Sequence, residues 1–171
     1  MIPLSEIHRS PTHAGAVLAA ACTFIVGCSF YVQHVLLVEP CPLCIIQRFT
    51  YVALVPTFAA VAMLGARPRA QRAVMAFALL LVLGGGGVAA YQSQLQIFPP
   101  AEAAGCSASL SYMLDTLPVT DVIGQLFQAH GDCSDSSFKI LGLTMAQGSL
   151  VIFTVFLVWL VTALRRPLPR S

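Results

Sequence analysis

The feature that most constrains this chain is where charge is absent. No Asp, Glu, Lys or Arg occurs from Ser10 to Val38, from Phe49 to Ala66, from Ala73 to Ala101, or from Ile140 to Leu164. Crossing the ~30 Å hydrocarbon layer of a bilayer takes about 20 helical residues, and each interval holds one such stretch. The spacing predicts four spans, at about 14–32, 45–64, 73–91 and 145–164. The rest of the composition agrees: 57% of residues are hydrophobic and 9% charged, against about 25% charged in soluble domains. The first span is too long for a secretory leader and lacks a cleavage pattern, so it reads as a retained span. The expected fold is an all-α membrane protein, an antiparallel bundle of four transmembrane helices forming a single domain over residues 1–171.

Orientation follows from the arginines, because basic residues stay on the cytoplasmic side. With four spans, Arg9, Arg67, Arg69, Arg72, Arg165, Arg166 and Arg170 fall together on one face. Six of the seven acids, Glu39, Glu102, Asp115, Asp121, Asp132 and Asp135, fall on the other, with Lys139. Both termini and the short 65–72 connection are therefore expected in the cytoplasm. The loops at about 33–44 and 92–144 are expected outside. The net charge of +2 says little by itself, and no basic patch points to nucleic acid.

This topology sorts the six cysteines. Cys41 and Cys44 stand at the outer end of span two, and Cys106 and Cys133 in the long outer segment, on the side where disulfides persist. Cys22 and Cys28 lie within span one and read as small buried hydrophobes. A C-x-x-C closes too short a loop to constrain the unfolded chain much, so Cys41-Pro42-Leu43-Cys44 suits redox chemistry or metal binding better than bracing. Pro42 fits a first helical position. The pair then sits at a helix N-terminus, where the helix dipole favours a thiolate. Arg48 lies four residues after Cys44, on the same face one turn further in. Its guanidinium can stabilise a thiolate or hold an electronegative ligand oxygen; the plainer reading is snorkelling to the interface.

Haem attachment by C-x-x-C-H is excluded by Ile45. A four-cysteine zinc site is weakened by the 27-residue separation of Cys106 and Cys133. That second pair could simply brace its loop, by about 3.5 kcal/mol in the chain-entropy picture, but a redox-type pair on the same face favours a relay between the two.

Between the pairs, Leu110, Met113, Leu114 and Leu117, and then Val119, Val122, Ile123, Leu126 and Phe127, follow helical periodicity. They read as short amphipathic helices lying on the membrane surface or against the bundle. Gly84–Gly87 within span three reads as a close-packing surface. Pro56 reads as a kink in span two, and His34 as an interface histidine.

The stretches "VQHVLLVEPCPLCIIQR" (32–48), "LQIFPP" (95–100) leading to Cys106, and "GDCSDSSFKILGLTMAQ" (131–147) resemble the DsbB family of bacterial inner-membrane thiol oxidoreductases over nearly the whole chain. The resemblance implies that Cys41–Cys44 passes electrons to a membrane quinone, ubiquinone or menaquinone. Cys44 would meet the quinone and Arg48 would help bind it. It further implies that Cys106–Cys133 oxidises a periplasmic DsbA-like thioredoxin-fold partner. The partner's thiolate would attack Cys106, Cys133 would attack Cys41, and Cys44 would be released to reduce the quinone. Two positions depart from well-studied relatives: Phe138 stands where a tryptophan follows the last cysteine, and Gln92 where a histidine can stand near the end of span three. Vitamin K epoxide reductase-like proteins also combine four helices with a C-x-x-C, but place the motif late in the chain. A non-enzymatic scaffold stapled by two structural disulfides is the remaining alternative.

Overall fold

The computed structural model describes residues 11–37, 41–98, 139–140 and 143–166. Among them are four long helices: α1, Pro11–His34; α2, Pro42–Met63; α3, Pro68–Ile97; and α4, Met145–Leu164. All four are long and apolar enough to cross a membrane. They form a bundle in which α1 packs on α2, α2 on α3, and α3 on α4. Two residues, Lys139–Ile140 (β1), pair antiparallel with Leu143–Thr144 (β2) just before α4, a ladder the hydropathy pattern gave no sign of.

Helix ends follow local chemistry rather than hydropathy. Pro42 and Pro68 occupy first-turn positions of α2 and α3, where a missing N–H costs nothing. The largest departure from expectation is α3. It runs 30 residues, about 45 Å at the helical rise, instead of ending near Tyr91. Its stop comes at Phe98, which leaves helical geometry (φ −125°, ψ 73°) ahead of Pro99, as expected for a residue preceding proline. The polar stretch Gln92–Gln96 therefore stays helical. At α4, Thr144 and Gln147 form a reciprocal capping box. α2 continues through Pro56.

The interior of the bundle is aromatic and aliphatic. The Phe58 ring meets Phe156 edge-on at 5.5 Å and Trp159 at 6.3 Å, while Tyr51 stacks on Phe153 at 4.7 Å. Outward, large apolar residues such as Phe24, Phe49, Leu80 and Val155 are exposed, as a bilayer solvent allows. Two glycines admit close approach. A methyl at Gly15 would lie 2.9 Å from backbone atoms of Phe58 and Ala62 in α2, and one at Gly85 would lie 2.6 Å from the Phe153 ring. The tetraglycine run is thus a packing surface mainly at Gly85. Of the two cysteines in α1, Cys22 is fully buried in the core, as expected. Cys28 is exposed: six helical residues turn it through about 600° relative to Cys22, onto the outer face.

Each consecutive helix pair also carries polar links. Arg48 of α2 donates from Nε to Ser29 Oγ (2.9 Å) and from Nη1 to Gln33 Oε1, both in α1. Gln47 of α2 bonds Gln92 of α3 at 2.8 Å, and Gln71 of α3 donates to the Val61 carbonyl of α2 at 2.7 Å. The Thr144 hydroxyl at the head of α4 donates to Gln96 Oε1 of α3 at 2.6 Å. At the opposite end, Arg72 of α3 donates to the carbonyls of Leu164 (3.1 Å) and Arg166.

Candidate functional site: a dithiol at the head of α2

Cys41 is the N-cap of α2. Its backbone is extended (φ −63°, ψ 159°), and its sulfur accepts the Cys44 N–H at 3.4 Å. A capping side chain satisfies one of the orphan donors of the first turn; here sulfur takes the place usually held by oxygen. Because cap and acceptor N–H are three residues apart, the same geometry brings the two sulfurs to 2.9 Å. The two thiols are not bonded to each other in this structure. Both cysteines are half-buried. Beneath them Leu43 and Leu95 form a small apolar cluster joined by Ile46, Val88 and Tyr91.

A third residue completes the site. The Gln92 amide nitrogen lies 3.2 Å from the Cys41 sulfur and 3.1 Å from the Cys44 sulfur. Its carbonyl accepts the Gln47 amide at 2.8 Å. Both glutamines are buried, Gln92 to 2% exposure and Gln47 to 4%. N–H bonds to sulfur strengthen when the sulfur is charged, as do the unpaired N–H dipoles at a helix N-terminus.

Arg48 is present one turn below Cys44, as the spacing predicts, but its guanidinium is turned to α1. Besides Ser29 Oγ and Gln33, it reaches the Ser29 carbonyl at 3.4 Å and lies 4.7 Å over the Phe30 ring. That ring in turn stacks on exposed His34, at 6.1 Å. This is an anchored cation rather than a snorkelling one. Of the five N–H bonds a guanidinium carries, three are used in these contacts with described residues.

Cys41, Cys44 and Arg48 are thus brought together at one end of the bundle. Cys106 and Cys133 lie outside the described residues, as do the helices expected at 110–117 and 119–127. Sequence reasoning did not find Ser29, Phe30 and Gln33 as the seat of Arg48, nor Gln47 as a partner of Gln92. The available signal was polarity: amides inside an apolar span face protein rather than lipid.

Fold and site together define a multi-pass membrane protein with a pair of cysteines at the head of one of its spans. The family model described as disulfide bond formation protein DsbB matches residues 11–163. The chain is 40% identical over 149 residues to disulfide bond formation protein B of Aromatoleum aromaticum, covering 87% of this chain and 89% of that one. It is 41% identical over 135 residues to the protein of the same name from an Azoarcus species, covering 78% and 80%. Against disulfide bond formation protein B 1 of Pseudomonas aeruginosa it is 35% identical over 148 residues, covering 86% and 91%. The chain belongs to the DsbB family of membrane disulfide bond formation proteins.

Proposed function

We propose that this chain is a quinone-linked thiol oxidoreductase that re-oxidises a periplasmic DsbA-like dithiol protein. The observation that carries the reading is the Cys41–Cys44 dithiol, placed at the apolar end of a transmembrane helix within reach of hydrogen-bond donors. A purely structural disulfide has no use for such donors.

In this reading the dithiol end of the bundle faces the periplasm of a bacterial inner membrane, with both termini in the cytoplasm. The partner's thiolate attacks Cys106, Cys133 attacks Cys41, and Cys44 is released as a thiolate. Each exchange breaks one S–S bond as it forms another. The partner's second thiol then displaces Cys106, and Cys106 takes Cys133 back from Cys41, so the partner leaves as a disulfide and its two electrons arrive at Cys41 and Cys44. A quinone bound at this end, ubiquinone or menaquinone, would supply the two-electron, two-proton acceptor.

The residues present fit such a molecule. Ile46, Val88 and Tyr91, half-buried around Leu43 and Leu95, offer an apolar surface, and Arg48 N–H groups not engaged by the described residues can be donated to a ring carbonyl oxygen. Arg48 then binds and orients, held by Ser29 and Gln33. Cys44 carries the reacting sulfur, and the apolar neighbours exclude water from it.

The test is turnover. The full chain, purified with lipid, is mixed with a reduced DsbA-like protein and a soluble ubiquinone analogue, and loss of quinone absorbance is followed. Consumption is expected for the native chain and absent in Cys44→Ser and Cys106→Ser. No consumption by the native chain with any DsbA-like partner would favour the stapled scaffold. Turnover surviving in Cys106→Ser would mean that the partner reaches Cys41 directly.

A further inference from the structure

The Gln47–Gln92 pair is the least expected feature of the site. A buried amide in a transmembrane bundle is costly unless its groups are paired. Here the inventory of Gln92 closes: its carbonyl accepts from Gln47, and its two N–H bonds match two sulfur acceptors. With Gln47 donating to its carbonyl, the Gln92 amide presents its nitrogen to the two sulfurs. Both residues sit on continuous helix, Gln47 on the turn after Cys44 and Gln92 on the part of α3 that extends beyond the expected span. Their positions are therefore fixed by backbone rather than by a loop.

We infer that Gln47 and Gln92 form an amide clamp that sets the chemistry of the dithiol, with Gln92 bridging the two sulfurs and Gln47 aiming it. This deepens the proposed function and rests on Cys41–Cys44 being its redox pair. The bridge does two things. It holds the sulfurs facing each other, so that closing or opening the S–S bond needs little movement. It also stabilises the reduced pair selectively: a thiolate accepts these bonds more strongly than the sulfurs of a disulfide do. A dithiol whose reduced form is stabilised is the more oxidising couple. An amide has no proton to gain or lose near neutrality, so the clamp acts without charging. Gln92 touches the reacting atoms, whereas Gln47 is a positioning residue.

The test uses the full chain in lipid micelles and two substitutions that keep volume but remove donors, Gln92→Met and Gln47→Met. The equilibrium of the Cys41–Cys44 pair with reduced and oxidised glutathione is measured, together with the rate at which iodoacetamide modifies Cys44, resolved from the other cysteines by mass spectrometry. A hydrogen bond to a charged group accounts for roughly a tenfold effect or more. Gln92→Met is expected to make the disulfide about tenfold harder to reduce and Cys44 about tenfold slower to alkylate. Gln47→Met is expected to move both in the same direction by a smaller factor. Unchanged glutathione equilibrium and alkylation in Gln92→Met would overturn the clamp, whatever happened to thermal stability. If the native pair itself fails to exchange with glutathione, the redox reading of Cys41–Cys44 fails, and the clamp with it. If Gln92→Met does not fold, Gln47→Met decides: native values there overturn the inference.

Discussion

The four glycines at 84–87 are indistinguishable in sequence and make a stringent test of the packing. A methyl added at Gly85 would lie 2.6 and 2.9 Å from the Phe153 ring and 2.7 Å from the Thr50 methyl, one at Gly86 would lie 3.5 Å from Phe153 Cβ, and at Gly84 and Gly87 it would meet nothing within 4 Å. Phe153 has little room to retreat: it is 1% exposed and stacked on Tyr51. Any alanine in a helix interior gains about 0.5–1 kcal/mol over glycine. That gain is common to all four positions and cancels when they are compared. The difference between Gly85→Ala and Gly84→Ala is then the overpacking cost alone, about 1–3 kcal/mol. Each single-alanine chain would be unfolded in mixed micelles by increasing SDS, with helicity as the signal. Gly84→Ala and Gly87→Ala should match or exceed native stability, Gly86→Ala should fall near them, and Gly85→Ala should be the outlier. A Gly85→Ala chain within about 0.5 kcal/mol of Gly84→Ala, the scatter of ordinary surface substitutions, would show that α3 does not approach α4 and α2 as described.

Arg48→Lys keeps the charge but loses the fork that spans Ser29 and Gln33; it should raise the KM for the quinone analogue in the turnover assay more than it lowers kcat, and an unchanged KM would count against Arg48 as a ligand. Thr144→Val removes both the capping box and the Gln96 contact and should cost about 1–2 kcal/mol in the same SDS titration, with no change in quinone affinity. Leu37 sits at φ 53°, in the left-handed region that costs a side chain roughly 1–2 kcal/mol; Leu37→Gly should recover part of this as a shift to higher SDS, and a loss of stability would contradict that conformation. Gly15→Ala should destabilise where Gly27→Ala does not, because only the former meets the backbone of α2.

How much of this was legible in the sequence divides along the range of the interactions. Missing charge located the four helices, since a bilayer rejects ionised groups wherever along the chain they fall. The start at Pro42 was legible because proline's preference for the first turn is local, whereas the capping of that turn by the Cys41 sulfur emerged only in the structure. The far end of α3 was not: hydropathy fades at Tyr91, but a helix ends where its backbone must, ahead of Pro99. Cys28 was misplaced for a related reason, because hydrophobicity alone does not say which side of a helix meets lipid. The pairing of Gln92 with the two sulfurs joins residues about 50 positions apart, and no local pattern encodes it. Arg48 was found by its spacing from Cys44, while its contacts on α1 belong to a helix whose rotation only the packed bundle defines.

The polar links between successive helices carry a consequence for assembly. In lipid, the tails surrounding a lone helix are as apolar as its neighbours, so greasy contact does not tell one partner from another. Hydrogen bonds do. A bundle in which α2 failed to meet α1 and α3, or α4 failed to meet α3, would strand the Arg48 fork, the Gln47 and Gln92 amides and the Thr144 hydroxyl in hydrocarbon, and discrimination grows from the penalty on the wrong match as much as from the quality of the right one. The handful of hydrophilic side chains thus works as an address system, matching the cysteine-bearing end of α2 to α3, whose Gln92 amide meets both sulfurs.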